Sequence, residues 1–206
     1  MHRRRLKSGS DPGLHGHGLG ETWQSDCHCV LIMARKPRRI FADCVYHVCN
    51  RGSRKGRLFD TYDDYDDYLA LMEEARAKYR MRVTAFSLMW THVHFVLWPR
   101  TDSALQAFMK KVSEEQAQDF HRKHNSRGTG AVYQSRYAAR ELDDARKYFG
   151  AVRYVEQNPV KDGYVTRAQD WPWCSAWDGE GGPRLFVADP PPIPYLPNWD
   201  EILNEF

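Results

Sequence analysis

Residues 82–98 constrain the fold more than any other part of the chain. Arg82–Leu88 and His92–Trp98 are both short, apolar and rich in β-branched or aromatic side chains, the composition of strands. Only Met89–Thr91 separates them, a link too short for a crossover, so the two strands run antiparallel and side by side. Side chains along a strand alternate between the two faces of its sheet. In His92-Val93-His94 the two imidazoles therefore share one face, while Val93 turns to the other and into the core.

The flanking segments supply the rest of an α+β domain. Phe41–Asn50 mixes β-branched and aromatic residues and predicts a further strand. From Leu58 and Phe59 the chain leads into a helix after Asp63, with Tyr65, Tyr68, Leu69, Met72 and Ala75 at the spacing of one apolar face. Ala104–His121 predicts a second helix, its apolar side formed by Leu105, Phe108, Met109 and Val112. Gly128-Thr129-Gly130 breaks the chain, and Val132–Arg140 is short, aromatic and extended. A third helix is expected to open at Asp143 as N-cap and to stop at Asn158, ahead of Pro159. The order strand, helix, strand, strand, helix, short strand, helix fits an antiparallel sheet with helices packed on it.

Composition bounds what such a domain does. With 206 residues and 42% of them hydrophobic, the chain has enough apolar surface for one core plus tails. The charged fraction is 28% and the mean hydropathy −0.71, and no apolar run approaches the ~20 residues of a membrane helix, so a soluble protein without membrane association is expected. Met1-His-Arg-Arg-Arg5 is not followed by an apolar stretch, so no secretory signal is expected. Five scattered cysteines (Cys27, Cys29, Cys44, Cys49 and Cys174) read as reduced thiols and place the chain in the cytoplasm. Residues 1–35 are expected to be a flexible extension, 36–180 the domain, and 181–206 a proline-rich tail whose last segment, Trp199–Phe206, docks back. A net charge of +3 hardly favours nucleic acid by itself, but Arg51–Arg57, Lys110-Lys111 and Arg122–His124 are local basic clusters.

Two constellations carry possible chemistry. Two imidazoles on neighbouring same-face positions can share a metal ion, although His-x-His on a strand is more often a polar surface pattern. In the third helix Tyr154 and Asn158 are four apart and share a face, which puts a phenol and an amide oxygen together. A helical tyrosine usually just packs, and Asn158 is equally suited to ending a helix before Pro159. Placed beside a metal, the same groups would support nucleophilic attack on a phosphodiester. The ion polarises the phosphorus centre as a Lewis acid, and attack by a phenol leaves a covalent phosphotyrosine that conserves bond energy for rejoining. Imidazoles suit zinc and other transition metals, whereas an added oxygen ligand and open positions favour Mg2+ or Mn2+.

The chain from about Pro37 to Trp177 resembles the IS200-like transposases of the single-tyrosine (Y1) HUH class. Within that class the nearer resemblance is to the tyrosine transposases associated with repetitive extragenic palindromes. The resemblance rests on Tyr46-His-Val-Cys-Asn-Arg-Gly52, His92-Val-His-Phe-Val-Leu97, Gly130-Ala-Val-Tyr-Gln-Ser-Arg-Tyr137, Arg153-Tyr-Val-Glu-Gln-Asn-Pro-Val160 and Asp170-Trp-Pro-Trp-Cys-Ser175, in that order. It implies a ferredoxin-like or RRM-like antiparallel sheet flanked by helices. It further implies Mg2+ or Mn2+ held by His92 and His94, with Tyr154 as the nucleophile that leaves a 5′-phosphotyrosine and a free 3′-OH. The implied substrate is single-stranded DNA carrying a hairpin or palindromic repeat, met at the nucleoid. Asn158 takes the third-ligand position, ahead of Gln157 and Glu156, which share the tyrosine's face less well. One departure stands out: the family's Pro-Asn before the histidine strand is here Trp90-Thr91.

DNA contacts are expected from Arg51, Arg54, Lys55 and Arg57, a flexible basic loop suited to phosphates, and from Arg136 near the scissile phosphate. Trp90 is placed to stack on an unpaired base, or simply to fill the turn. Two other readings are compatible with the residues: a DNA-binding regulator of the same fold without chemistry, and a zinc-stabilised interaction domain built on His and Cys. Monomer and homodimer are both open, with the monomer favoured because the tail is suited to covering a sheet edge.

Overall fold

The computed structural model describes residues 39–179 and 186–205. The expected extension (1–35), with its Cys27-His28-Cys29 cluster, lies outside the described residues. Four strands, β1 (Tyr46–Arg51), β2 (Met81–Met89), β3 (His92–Pro99) and β4 (Ala138–Glu141), form one antiparallel sheet in the order β2-β3-β1-β4. Helix α1 (Tyr62–Tyr79) joins β1 to β2, and α2 (Ala104–Lys123) joins β3 to β4. This is the βαββαβ arrangement of a ferredoxin-like domain, to which α3 (Ala145–Lys161) and a short α4 (Trp199–Asn204) are added.

One face of the sheet carries the main core. Val48 of β1, Val83, Phe86 and Leu88 of β2, and Val93, Phe95 and Leu97 of β3 pack against Tyr65, Tyr68, Leu69 and Met72 of α1 and Leu105, Phe108, Met109 and Val112 of α2. A register shift between Val83 and Ala85 lets both Val83 and Phe86 reach this face, which strict alternation would forbid. Helix α1 begins at a capping box: the Asp64 amide donates to Thr61 Oγ1, and the Thr61 amide donates back to Asp64 Oδ2. The opposite face is covered by α3, whose Tyr148, Val152 and Val155 pack on Val45, Ala85 and Val96.

Several element boundaries differ from the sequence reading. Strand β1 starts at Tyr46 rather than Phe41, because Ala42 and Asp43 form a turn with Asp43 at φ 60°, held by its amide to the Pro99 carbonyl and by Arg100. Of the extended stretch 132–140, only the last residues join the sheet as β4, while Tyr133 makes an isolated bridge to Gly52. The N-cap of α3 is Asp144, whose carboxylate accepts from the Lys147 amide, not Asp143. Pro159 does not stop the helix. It sits in the last turn, where a missing N–H costs one bond, and the helix closes at Asp162 and Gly163 (φ 73°).

Residues 173–179 and 186–205 pack against the sheet and α3. The Leu88 amide donates to the Trp173 carbonyl and the Ser175 amide to the Phe86 carbonyl, while Asp189 bonds Val83 through both its amide and its carboxylate. These bonds occupy the outer edge of β2. Helix α4 then rests on α3: Gln157 Nε2 donates to the Leu203 carbonyl and Trp199 Nε1 to Glu156.

Candidate active site

The face of the sheet beneath α3 is apolar at one end and polar at the other. Register makes the polar end: His92 of β3 pairs with Arg51 and His94 with Cys49 of β1, while His47 lies one same-face step further along. His92 and His94 are only 4% and 3% exposed, their ring centroids 5.0 Å apart and their planes nearly perpendicular. Helix α3 crosses above them. The Tyr154 ring stands edge-on to His94 at 5.3 Å and to His47 at 5.7 Å, and is half-buried rather than sunk in the core.

One turn further on, Asn158 meets His92, with Oδ1 at 3.4 Å from Nε2. Its orientation is fixed by bonding logic: Nδ2 donates to the Tyr154 carbonyl at 2.7 Å, so the oxygen is the atom left facing the imidazole. The other His92 nitrogen, Nδ1, lies 3.0 Å from Thr91 Oγ1, so the residue that departs from the family pattern holds the ring. The two alternatives to Asn158 point elsewhere. Glu156 accepts from Ser175 Oγ and Trp199 Nε1, and Gln157 bonds to α4.

Side chains not singled out in the sequence complete the cluster. His47 Nε2 lies 3.1 Å from His94 Nδ1, with the rings stacked. Cys49 Sγ is 4.0 Å from His94 Nε2. Lys161 places its ammonium 4.8 Å from the centre of the Tyr154 ring, and Asp162 Oδ2 is 3.9 Å from His92 Nε2. Alternation puts His47 on the same face as Cys49, but only the β1–β3 register brings that face beside His94. Lys161 and Asp162 were hidden by reading Pro159 as the helix end.

Burial keeps the three imidazoles neutral. It pushes His47 down to about 4, helped by the nearby Arg140 cation. His94 is held well below the usual histidine range by burial and then by His47, His92, Arg51 and Lys161. His92 is lowered by burial too, with Asp162 pulling the other way. Burial also lowers the Lys161 ammonium. Neutral imidazole nitrogens and an oriented amide oxygen are a donor set that fits a divalent cation. Of the three described cysteines only Cys49 lies against it: Cys174 Sγ donates to the Glu156 carbonyl, and Cys44 interacts with Glu141.

The expected DNA-contacting residues rim this end of the sheet. Arg51 and Arg54 are exposed. Lys55 lies in the same 3-10 turn, Ser53–Lys55. The loop is pinned rather than free: the Gly52 amide donates to Thr91, Ser53 to Val132 and Leu58 to Trp90. Arg136 is exposed on the segment between Gln134, which bonds Arg51, and Ala138, which pairs with Cys49. Trp90 is 39% exposed, yet its ring already stacks on Tyr164 and carries the Arg57 guanidinium at 4.4 Å.

The fold is a ferredoxin-like sheet with helices packed on it, and sequence comparison supplies the family. The family described as transposase IS200-like matches residues 40–158, and the chain belongs to this family of DNA-cutting and DNA-rejoining enzymes. Among solved structures, a REP-associated tyrosine transposase bound to a REP hairpin is similar in fold. Its identity is 18% and its TM-score 0.56, over 77% of this chain and 93% of that one. A candidate transposase from Deinococcus radiodurans R1 matches at 13% identity and a TM-score of 0.41, over 60% of this chain and 96% of that one. No curated protein matches.

Proposed function

We propose that the chain is a metal-dependent strand transferase acting on single-stranded DNA with a hairpin or palindromic repeat, through a covalent 5′-phosphotyrosine on Tyr154. The reading rests on the approach of the Tyr154 ring to His94, which neighbours His92, and to His47, both neutral, across the interface of α3 with the sheet. Its hairpin substrate is supported by the similar structure, which is described as bound to a REP hairpin.

His92, His94 and Asn158 would hold Mg2+ or Mn2+, which supplies Lewis acidity at the scissile phosphate. The Tyr154 oxygen attacks phosphorus and gives up its proton to solvent, which returns one to the departing 3′ oxygen. The bond from phosphorus to the 3′ oxygen breaks, and that oxygen leaves as a 3′-OH. Attack by a 3′-OH on the phosphotyrosine reverses the step and rejoins DNA. Lys161, beside the tyrosine ring, adds positive charge where the phosphate gains negative charge. Arg51, Arg54, Lys55, Arg57 and Arg136 hold the backbone of the strand on either side.

The test is a denaturation-resistant protein–DNA adduct formed with labelled hairpin oligonucleotide and Mg2+ or Mn2+. Tyr154→Phe abolishes the adduct, and His92→Ala reduces it strongly. An adduct that persists in Tyr154→Phe removes the tyrosine from its role. Hairpin binding without any adduct in the wild-type chain would instead favour the non-catalytic regulator.

A further inference from the structure

Two side-chain oxygens converge on one nitrogen of His92. Asn158 Oδ1 lies 3.4 Å and Asp162 Oδ2 3.9 Å from Nε2, while Nδ1 is taken by the Thr91 hydroxyl at 3.0 Å. Which nitrogen a carboxylate approaches decides its part in a metal site. A carboxylate that merely orients a ligating histidine sits on the nitrogen pointing away from the metal. Here that place belongs to Thr91, and Asp162 approaches the nitrogen that Asn158 also faces. Both separations exceed an ordinary N–H···O bond. They are also longer than the roughly 3 Å between adjacent ligands on an ion with ~2.1 Å bonds, so small side-chain movements close the shell.

We propose that Asp162 is an additional ligand of the cation held by His92, His94 and Asn158. This rests on the metal-dependent reading above and goes beyond it. The helix provides the spacing: Asp162 is four residues after Asn158, and its own amide donates to the Asn158 carbonyl at 2.9 Å, so both donors are fixed in the last turn of α3. Its side chain is 38% exposed, which leaves room for waters and a phosphate oxygen in the remaining positions. A negative oxygen ligand shifts a site of imidazole and amide towards hard cations, Mg2+ and Mn2+, and away from zinc.

The test is Mn2+ binding to the full chain without DNA, followed by electron paramagnetic resonance of the free ion. His92→Ala serves to subtract Mn2+ bound elsewhere. Asp162→Asn, nearly isosteric, should weaken the His92-dependent binding about ten-fold or more. Asp162→Cys should shift preference from Mn2+ to Cd2+, because a thiolate is a soft ligand; a residue that only steadies His92 would produce no such shift. Wild-type Mn2+ affinity in Asp162→Asn overturns the proposal and leaves the His92 site standing. Weakened binding in Asp162→Asn without a Cd2+ preference in Asp162→Cys also overturns it. Equal binding by wild type and His92→Ala overturns the proposal together with the metal site itself.

Discussion

Among single residues, the buried imidazoles tie stability to pH. His47, His92 and His94 all have folded pKa values below the ordinary 6.5, His47 at about 4. Above about pH 6.5 both folded and unfolded chains hold them neutral and they contribute no pH dependence. Below that, the unfolded chain takes up protons that the native one refuses, so stability falls as pH drops from about 6.5 towards 4. His47→Gln should flatten this part of the profile, read as the urea midpoint against pH; an unchanged slope would mean that His47 is not held neutral by the fold. The same residue shows where sequence reading ended. His92 and His94 were legible because period-2 alternation is local. His47 needed the non-local register of β1 against β3, and Asp162 needed a helix that proline statistics end too early.

At the level of elements, the Arg51-Gly52 step shows a motif residue with a steric cause. A Cβ on Gly52 would lie 2.3 Å from the Gly56 carbonyl oxygen, a backbone atom that cannot swing away. Gly52→Ala should therefore cost about 1–3 kcal/mol by chemical denaturation and displace the basic turn, weakening binding of hairpin DNA. Stability and binding equal to wild type would show that the turn opens freely. Helices α1 and α2 were readable almost whole because their apolar positions repeat on one face, and each repeat is buried as expected. Strand β1 and the end of α3 were not: the first boundary is set by contacts of Asp43 with distant Pro99 and Arg100, and at the second Pro159 falls in the last turn, where a helix tolerates it with one lost bond. Arg57 and Trp90 were expected to meet DNA separately, but they contact each other, so they present one surface.

For the whole molecule, the outer edge of β2 is closed by the chain's own residues 173–175 and 189. A closed edge disfavours pairing with a second copy through that strand. Removing residues 186–206 should lower the thermal midpoint and produce self-association visible by light scattering; a truncated chain as stable and monodisperse as the full one would show that the strap is dispensable. The strap continues into α4, which together with Glu205 grips α3 at three side chains within little more than one turn around the tyrosine: Arg153 to Glu205, Glu156 to Trp199 and Gln157 to Leu203. The helix bearing the proposed nucleophile is thus splinted from behind. On the proposed mechanism, a proteolytic nick in the strap spares every residue of the proposed site and still lowers formation of the protein–DNA adduct, because aim, rather than chemistry, is what α4 supplies.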